Sequence, residues 1–187
     1  AYEAVSEALR AGYRHIDTAA AYGNEESVGE AIKDSGVKRQ DLFVTTKLWN
    51  AKHGYEATKQ GFANSLCRLG LDYIDLYLIH WPNPAEFRDI WQQMNAESWK
   101  AMEELYRDGK VKAIGVSNFR EHHLDALLET AEIKPMVNQI FLNPSDLQPS
   151  VVDYNIFDFE IDETDMKKID DHHGEAGLAT NPDTTAF

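Results

Sequence analysis

Basic residues are scarce in this chain. Its 187 residues carry 18 Lys+Arg against 32 Asp+Glu, a formal charge of −14. Such a balance argues against a basic face for nucleic acid or for an anionic membrane. Long apolar runs are missing as well, and none approaches the roughly 18 residues that a bilayer span needs. Cysteine occurs once, at Cys67, which excludes an internal disulfide and makes a reducing cytoplasm the expected compartment. Cys67 lies among apolar residues of a helical pattern, so it is expected to be a small core residue. The opening stretch, Ala1 to Arg10, is acidic and amphipathic, unlike a secretion signal. What is present is 43% hydrophobic, 11% aromatic and 27% charged residues. That composition fits a folded domain with a well-buried core and excludes a disordered tail or a fibre.

Hydrophobic periodicity reads as alternating helices and strands. Ala1 to Ala11 is an amphipathic helix with Ala1, Ala4, Val5, Ala8 and Leu9 on one face, stopped at Gly12. Tyr13 to Ile16 is a short strand ending at Asp17. Asn24 is placed to cap a helix whose inner face is Val28, Ala31 and Ile32, stopped by Gly36. Leu42 to Thr46 is a β-branched and aromatic strand ending at Lys47. A helix from about Tyr55 to Leu69 stops at Gly70, and Ile74 to Ile79 is an apolar strand ending at His80. After a loop with Pro82 and Pro84, a helix runs from about Glu97 to Arg107. Ala113 to Val116 is a strand ending at Ser117 and Asn118, Glu121 to Thr130 a helix, and Met136 to Val137 starts a strand ending near Gln139. Long helical crossovers between apolar strands give a parallel α/β architecture, open or barrel-shaped.

Each strand run thus ends in a chemically capable group: Asp17, Lys47, His80, Ser117 with Asn118, and Gln139. Taken singly, each has an ordinary explanation: an aspartate in a turn, a satisfied histidine, a solvated lysine. Together they point at one place, because ligands of parallel α/β sheets sit at the carboxyl ends of the strands. Tyr22, five residues after Asp17, joins them. A free tyrosine titrates near 10, and a nearby ammonium stabilises the phenolate. An aspartate can hold the lysine, and a histidine can donate to a substrate carbonyl. Such a set protonates an oxygen while a hydride arrives at carbon, and the hydride must come from a bound cofactor.

These residues carry a resemblance to the aldo-keto reductase family. Gly12-Tyr13-Arg14-His15-Ile16-Asp17-Thr18-Ala19 with Tyr22-Gly23-Asn24-Glu25 resembles its first motif, and Thr45-Thr46-Lys47-Leu48-Trp49 its lysine strand. Leu69-Gly70-Leu71-Asp72-Tyr73-Ile74-Asp75-Leu76-Tyr77-Leu78-Ile79-His80-Trp81-Pro82 is similar to its histidine strand. Gly109 to Phe119 and Asn138-Gln139 resemble the next stretches. The resemblance implies a (β/α)8 barrel and reduction of aldehydes or ketones with NADPH, or alternatively NADH. It implies Tyr22 as general acid, Lys47 beside it, Asp17 anchoring Lys47, and His80 orienting the carbonyl. Ser117, Asn118 and Gln139 would hold the nicotinamide carboxamide, and Trp49 and Trp81 would line the substrate pocket. No metal is implied. The expected partner is a small carbonyl compound, with neither nucleic acid nor membrane, and the expected form is a cytoplasmic monomer. The polar tail from Gly174 to Phe187 resembles those of microbial members akin to 2,5-diketo-D-gluconate reductases.

A closed barrel of this class usually takes about 250 residues. Residues 1–187 are read as a single barrel domain with about five of the eight strands. Against the family pattern, a strand and a hairpin are missing before Ala1. A motif jump at Asn155 to Ile156 lacks two strands, two helices and the basic stretch that grips the adenosine phosphate. The expectation is that these two residues are not adjacent in the expressed protein. Beyond the jump, Asp162 with Asp165 marks a helix start. Two other readings compete. One is a metal-dependent barrel hydrolase using His15, Asp17, His80 and the pairs His122-His123 and His172-His173. The first pair is, however, expected on a solvated helix face. The other is a non-catalytic nicotinamide-binding regulatory or structural protein of the same fold.

Overall fold

The computed structural model describes residues 1–143 and 180–185. The chain alternates helix and strand: α1 (Tyr2–Arg10), β1 (His15–Asp17), α2 (Glu25–Asp34), β2 (Phe43–Leu48), α3 (Tyr55–Leu69), β3 (Ile74–Ile79), α4 (Trp91–Arg107), β4 (Val111–Ser117), α5 (Glu121–Leu128) and β5 (Asn138–Gln139). The strands form one sheet in the order β1-β2-β3-β4-β5, every neighbouring pair parallel. Sequential order with a helix at each crossover is the pattern of a (β/α)8 barrel wall.

Burial follows from that layering. All six residues of β3 are buried, as in a strand covered on both faces. The helices lay one stripe each on the sheet: Val28, Ala31 and Ile32 from α2, Phe62 and Leu69 from α3, Trp99, Met102 and Leu105 from α4. Each large side chain so buried contributes about 1.5–3 kcal/mol relative to exposure. Two glycines are required by geometry. Gly70 ends α3 in the left-handed region at φ 63°. A Cβ on Gly29 would meet the Leu69 carbonyl oxygen at 2.3 Å, so the absence of a side chain lets α2 lie against the end of α3.

Several elements depart from the sequence reading. Lys47 lies inside β2 rather than after it, because the strand continues through Leu48. α4 begins at Trp91, six residues before the expected Glu97, after a 3-10 turn over Ala85–Ile90. The buried Asn95 amide donates to the Pro82 carbonyl at 2.8 Å and ties that added turn to the loop. α1 buries only Leu9. Asn24 occupies the N-cap position of α2 without a side-chain capping bond, because its Oδ1 accepts from the Thr18 hydroxyl at 2.6 Å instead. Cys67 is exposed rather than in the core: the buried stripe of α3 runs through Thr58, Phe62, Ser65 and Leu69. His123 is fully buried while its neighbour His122 stays outside. The Asn155–Ile156 junction, the helix start at Asp162, the His172-His173 pair and most of the tail lie outside the described residues.

Candidate active site

Parallel pairing carries the sequence-predicted groups to one end of the sheet. Asp17 is the last residue of β1, Ser117 the last of β4, His80 and Trp49 follow β3 and β2 directly, and Gln139 lies in β5. Tyr22 closes a 3-10 turn over Ala20–Tyr22, and Gly23 ends that turn in the left-handed region at φ 62°. The tyrosine ring is thereby held out over the strand ends, 53% exposed.

Lys47 is the buried centre of the group, 1% exposed. Its Nζ donates to Asp17 Oδ1 at 2.5 Å and to the Thr18 carbonyl at 3.0 Å. It lies 5.3 Å from the centroid of the Tyr22 ring. Asp17, a third exposed, also accepts from Gln139 Nε2 at 2.9 Å through its other oxygen. The His80 ring stands edge-on to Tyr22, centroids 5.7 Å apart, with Trp49 at 6.2 Å and Trp81 at 6.4 Å. Burial lowers the His80 pKa from 6.5 to about 4; the Lys47 charge adds to the shift and Asp17 opposes it. The imidazole is therefore neutral at pH 7 and retains one N–H to donate.

At the β4 end, Asn118 takes a left-handed backbone, φ 60°, uncommon for a residue with a side chain. From there its Nδ2 donates to the His80 carbonyl at 2.9 Å and to Ser117 Oγ at 3.1 Å, and Ser117 Oγ donates to the Gln139 carbonyl at 2.9 Å. Among the described residues, Asn118 Oδ1 and Gln139 Oε1 have no partner. Two amides and a hydroxyl, with two acceptors spare, suit a carboxamide, which offers two N–H donors and one acceptor. The residues present therefore fit a nicotinamide ring. A cavity of about 330 Å³ lies behind Trp49 on the α3 side, lined also by Gly61, Asn64 and Arg68, and none of Asp17, Tyr22, Lys47 or His80 borders it.

All nine sequence-predicted site residues are thus brought to this end. Among the described residues the competing metal set is not assembled. His15 is turned aside, its Nε2 bonded to Thr45 Oγ1 at 2.9 Å and its ring edge-on to Phe43. His122 and His123 instead gather with Asp183. Sequence reasoning missed the Thr18 carbonyl as a second anchor for Lys47. It also missed Asp183, whose one signal is the Asn181-Pro182-Asp183 turn pattern.

The pattern of the aldo/keto reductase family model matches residues 1–155. The chain belongs to the aldo/keto reductase family. A glyoxal reductase of Bacillus subtilis is 54% identical over 154 residues, which are 82% of this chain and 53% of that protein. The chain spans about half the length of the curated relatives it matches. An aldo-keto reductase from a deep-sea metagenome library superposes with a TM-score of 0.84 at 37% identity, over 100% of this chain and 91% of that one. A Bombyx mori aldo-keto reductase solved in complex with NADP superposes with a TM-score of 0.73 at 43% identity, over 81% of this chain and 51% of that one. Among the described residues, no helix of this family member is long and apolar enough to cross a membrane.

Proposed function

We propose that this chain carries the catalytic half of an NADPH-dependent carbonyl reductase acting on small aldehydes and ketones, with α-dicarbonyls such as glyoxal in its range. The observation that carries the reading is the convergence of Tyr22, Lys47, Asp17 and His80 on one side of the sheet end. The glyoxal-reducing relative and the NADP-bound neighbour support the substrate and cofactor classes.

When bound, the nicotinamide supplies the hydride. Ser117, Asn118 and Gln139 would hold its carboxamide, with Gln139 exchanging its bond to Asp17 for one to the ring. The carbonyl oxygen lies between Tyr22 and His80. The neutral His80 ring donates one hydrogen bond to it and fixes its direction. As negative charge grows on that oxygen, the Tyr22 hydroxyl delivers its proton, so the oxygen becomes the hydroxyl of the product alcohol and Tyr22 is left as a phenolate, which solvent at this exposed ring reprotonates. The Lys47 ammonium beside the ring stabilises that phenolate, and Asp17 with the Thr18 carbonyl keeps the ammonium in place. Trp49 and Trp81 wall the substrate in. We read residues 1–187 as belonging to one barrel domain, working as a cytoplasmic monomer on small molecules.

The test is an activity screen of the full-length protein with NADPH and NADH over glyoxal, keto-esters and keto-sugars. Loss of the reduced nicotinamide absorbance in step with carbonyl consumption is the expected result. Tight cofactor binding without turnover on any member of the panel would overturn the reading in favour of a non-catalytic binding protein.

A further inference from the structure

Residues 180–185 lie against the segments that follow β3 and β4, in a way the chemistry above does not use. Asp183 lies in a turn in which its own N–H donates to Asn181 Oδ1 at 3.0 Å and Thr185 Oγ1 donates to the Asn181 carbonyl at 2.7 Å. Asp183 Oδ1 accepts two hydrogen bonds: from Asn83 Nδ2 at 2.9 Å and from His123 Nε2 at 2.8 Å. Its Oδ2 lies 3.3 Å from His122 Nε2. Arg88 adds a bond from Nη2 to the Thr185 carbonyl at 2.6 Å. Asn83 and His123 are both buried, and Pro182 is buried beside them.

Two histidines and a carboxylate also make a candidate metal triad, and the hydrogen bonding decides against it. His123 Nδ1 accepts the Arg120 backbone N–H at 3.1 Å, so the ring proton of the neutral imidazole sits on Nε2. A nitrogen that carries a proton donates to Asp183 and offers no lone pair to a cation. His123 is further enclosed by Trp91 at 5.0 Å and Phe119 at 5.9 Å, which fixes the ring plane.

The partners belong to two different segments, the loop after β3 and the start of α5 after β4. Asn83 lies three residues past His80 and two past Trp81. His123 lies five residues past Asn118, in the first turn of α5. Inside, the two segments are already joined by the Asn118–His80 bond; Asp183 joins them again at their outer ends. We propose that Asp183 is a positioning residue, a hydrogen-bonded clasp that fixes the segments bearing His80 and Trp81 and bearing Ser117 and Asn118 relative to each other. Its effect on turnover rests on the reductase reading above. The asparagine variant is the conservative one, because its amide oxygen can take the place of Oδ1 and accept both bonds, while its NH2 meets His122.

The experiment compares full-length parent, Asp183→Ala and Asp183→Asn in steady-state kinetics with glyoxal and by hydrogen exchange. Asp183→Ala is expected to raise KM about tenfold, with kcat within about threefold, as small misplacements of positioning segments do. Asp183→Asn is expected to restore KM to within about threefold of the parent. Amide exchange should rise in Asp183→Ala at 80–83 and at 117–123 together, and not in Asp183→Asn. Parent-like KM in Asp183→Ala, or an asparagine variant as impaired as the alanine one, overturns the clasp. Should the parent turn over no carbonyl, the reductase reading falls, and exchange alone judges the clasp: a joint rise in both segments supports it, and unchanged protection overturns it.

Discussion

Two cation–carboxylate pairs stand at opposite ends of the sheet, and they are built differently. At the start of the strands, Arg39 donates to Asp75 Oδ2 at 2.6 Å and to the carbonyls of Leu42 and Tyr73 at 3.0 Å. Its plane lies 4.0 Å over the Tyr73 ring, and Asp75 Oδ2 also accepts the Val44 N–H at 2.8 Å. That pair pins β2 to β3, although Arg39 Nε is buried with no partner among the described residues. At the far end, Lys47 gives two of its three N–H groups to Asp17 and Thr18, and the third has no partner among the described residues. The ammonium is left beside an exposed tyrosine ring. The structural pair is spent on strand backbone and an aromatic face, whereas the pair at the site end leaves its ammonium beside an exposed hydroxyl-bearing ring.

The sharpest break of this contrast is a matched pair of substitutions. Lys47→Met should lower kcat by at least about a hundredfold, the scale of lost acid–base assistance. Arg39→Met should leave kcat within about twofold and cost about 2 kcal/mol of stability, a modest figure because the pair is partly solvated. Steady-state kinetics and urea unfolding of both variants decide it; equal kinetic damage would erase the distinction.

A second, smaller effect concerns pH. Burial lowers His53 from 6.5 to about 4, and it lowers His80 and His123 to about 4 as well. In each case the unfolded chain binds a proton that the folded chain refuses between those values. Stability is therefore complete above about pH 6.5 and is lost as pH falls toward 4. The melting temperature should drop over that window. His53 stacks on Phe87, and neither of its ring nitrogens has a partner among the described residues. His53→Phe should thus flatten the drop without touching the site end; an unchanged slope would remove His53 from the account.

The smallest effect belongs to the outer face of α3. Cys67→Ser should change stability by less than about 0.5 kcal/mol, and a thiol reagent should modify Cys67 in the folded protein. Slow modification that waits on unfolding would return Cys67 to the core.

These positions also mark what was legible in the sequence. Strand–helix alternation is written in apolar periodicity, and a polar residue at the end of an apolar strand announces the site; Asp17, His80, Ser117 and Gln139 were readable on that ground. Helix phase was harder. His122 and His123 are adjacent, about 100° apart on α5, and composition does not say which turns inward; packing against Trp91 and Phe119 does. Cys67 was misplaced for the same reason. Asn24 had the residue type of a cap, but the Thr18 hydroxyl competed for its oxygen. Contacts from distant chain, such as Gln139 to Asp17 and Asp183 to His123, leave no local pattern to read.

The central claim is that Tyr22 gives the proton that Lys47 stands ready to offset. Tyr22→Phe keeps the ring over the strand ends and removes only the hydroxyl. Measured on the full-length protein with NADPH and glyoxal, it should lower kcat about a thousandfold, with cofactor affinity and melting temperature at parent values. Turnover at the parental rate in that variant would contradict the account.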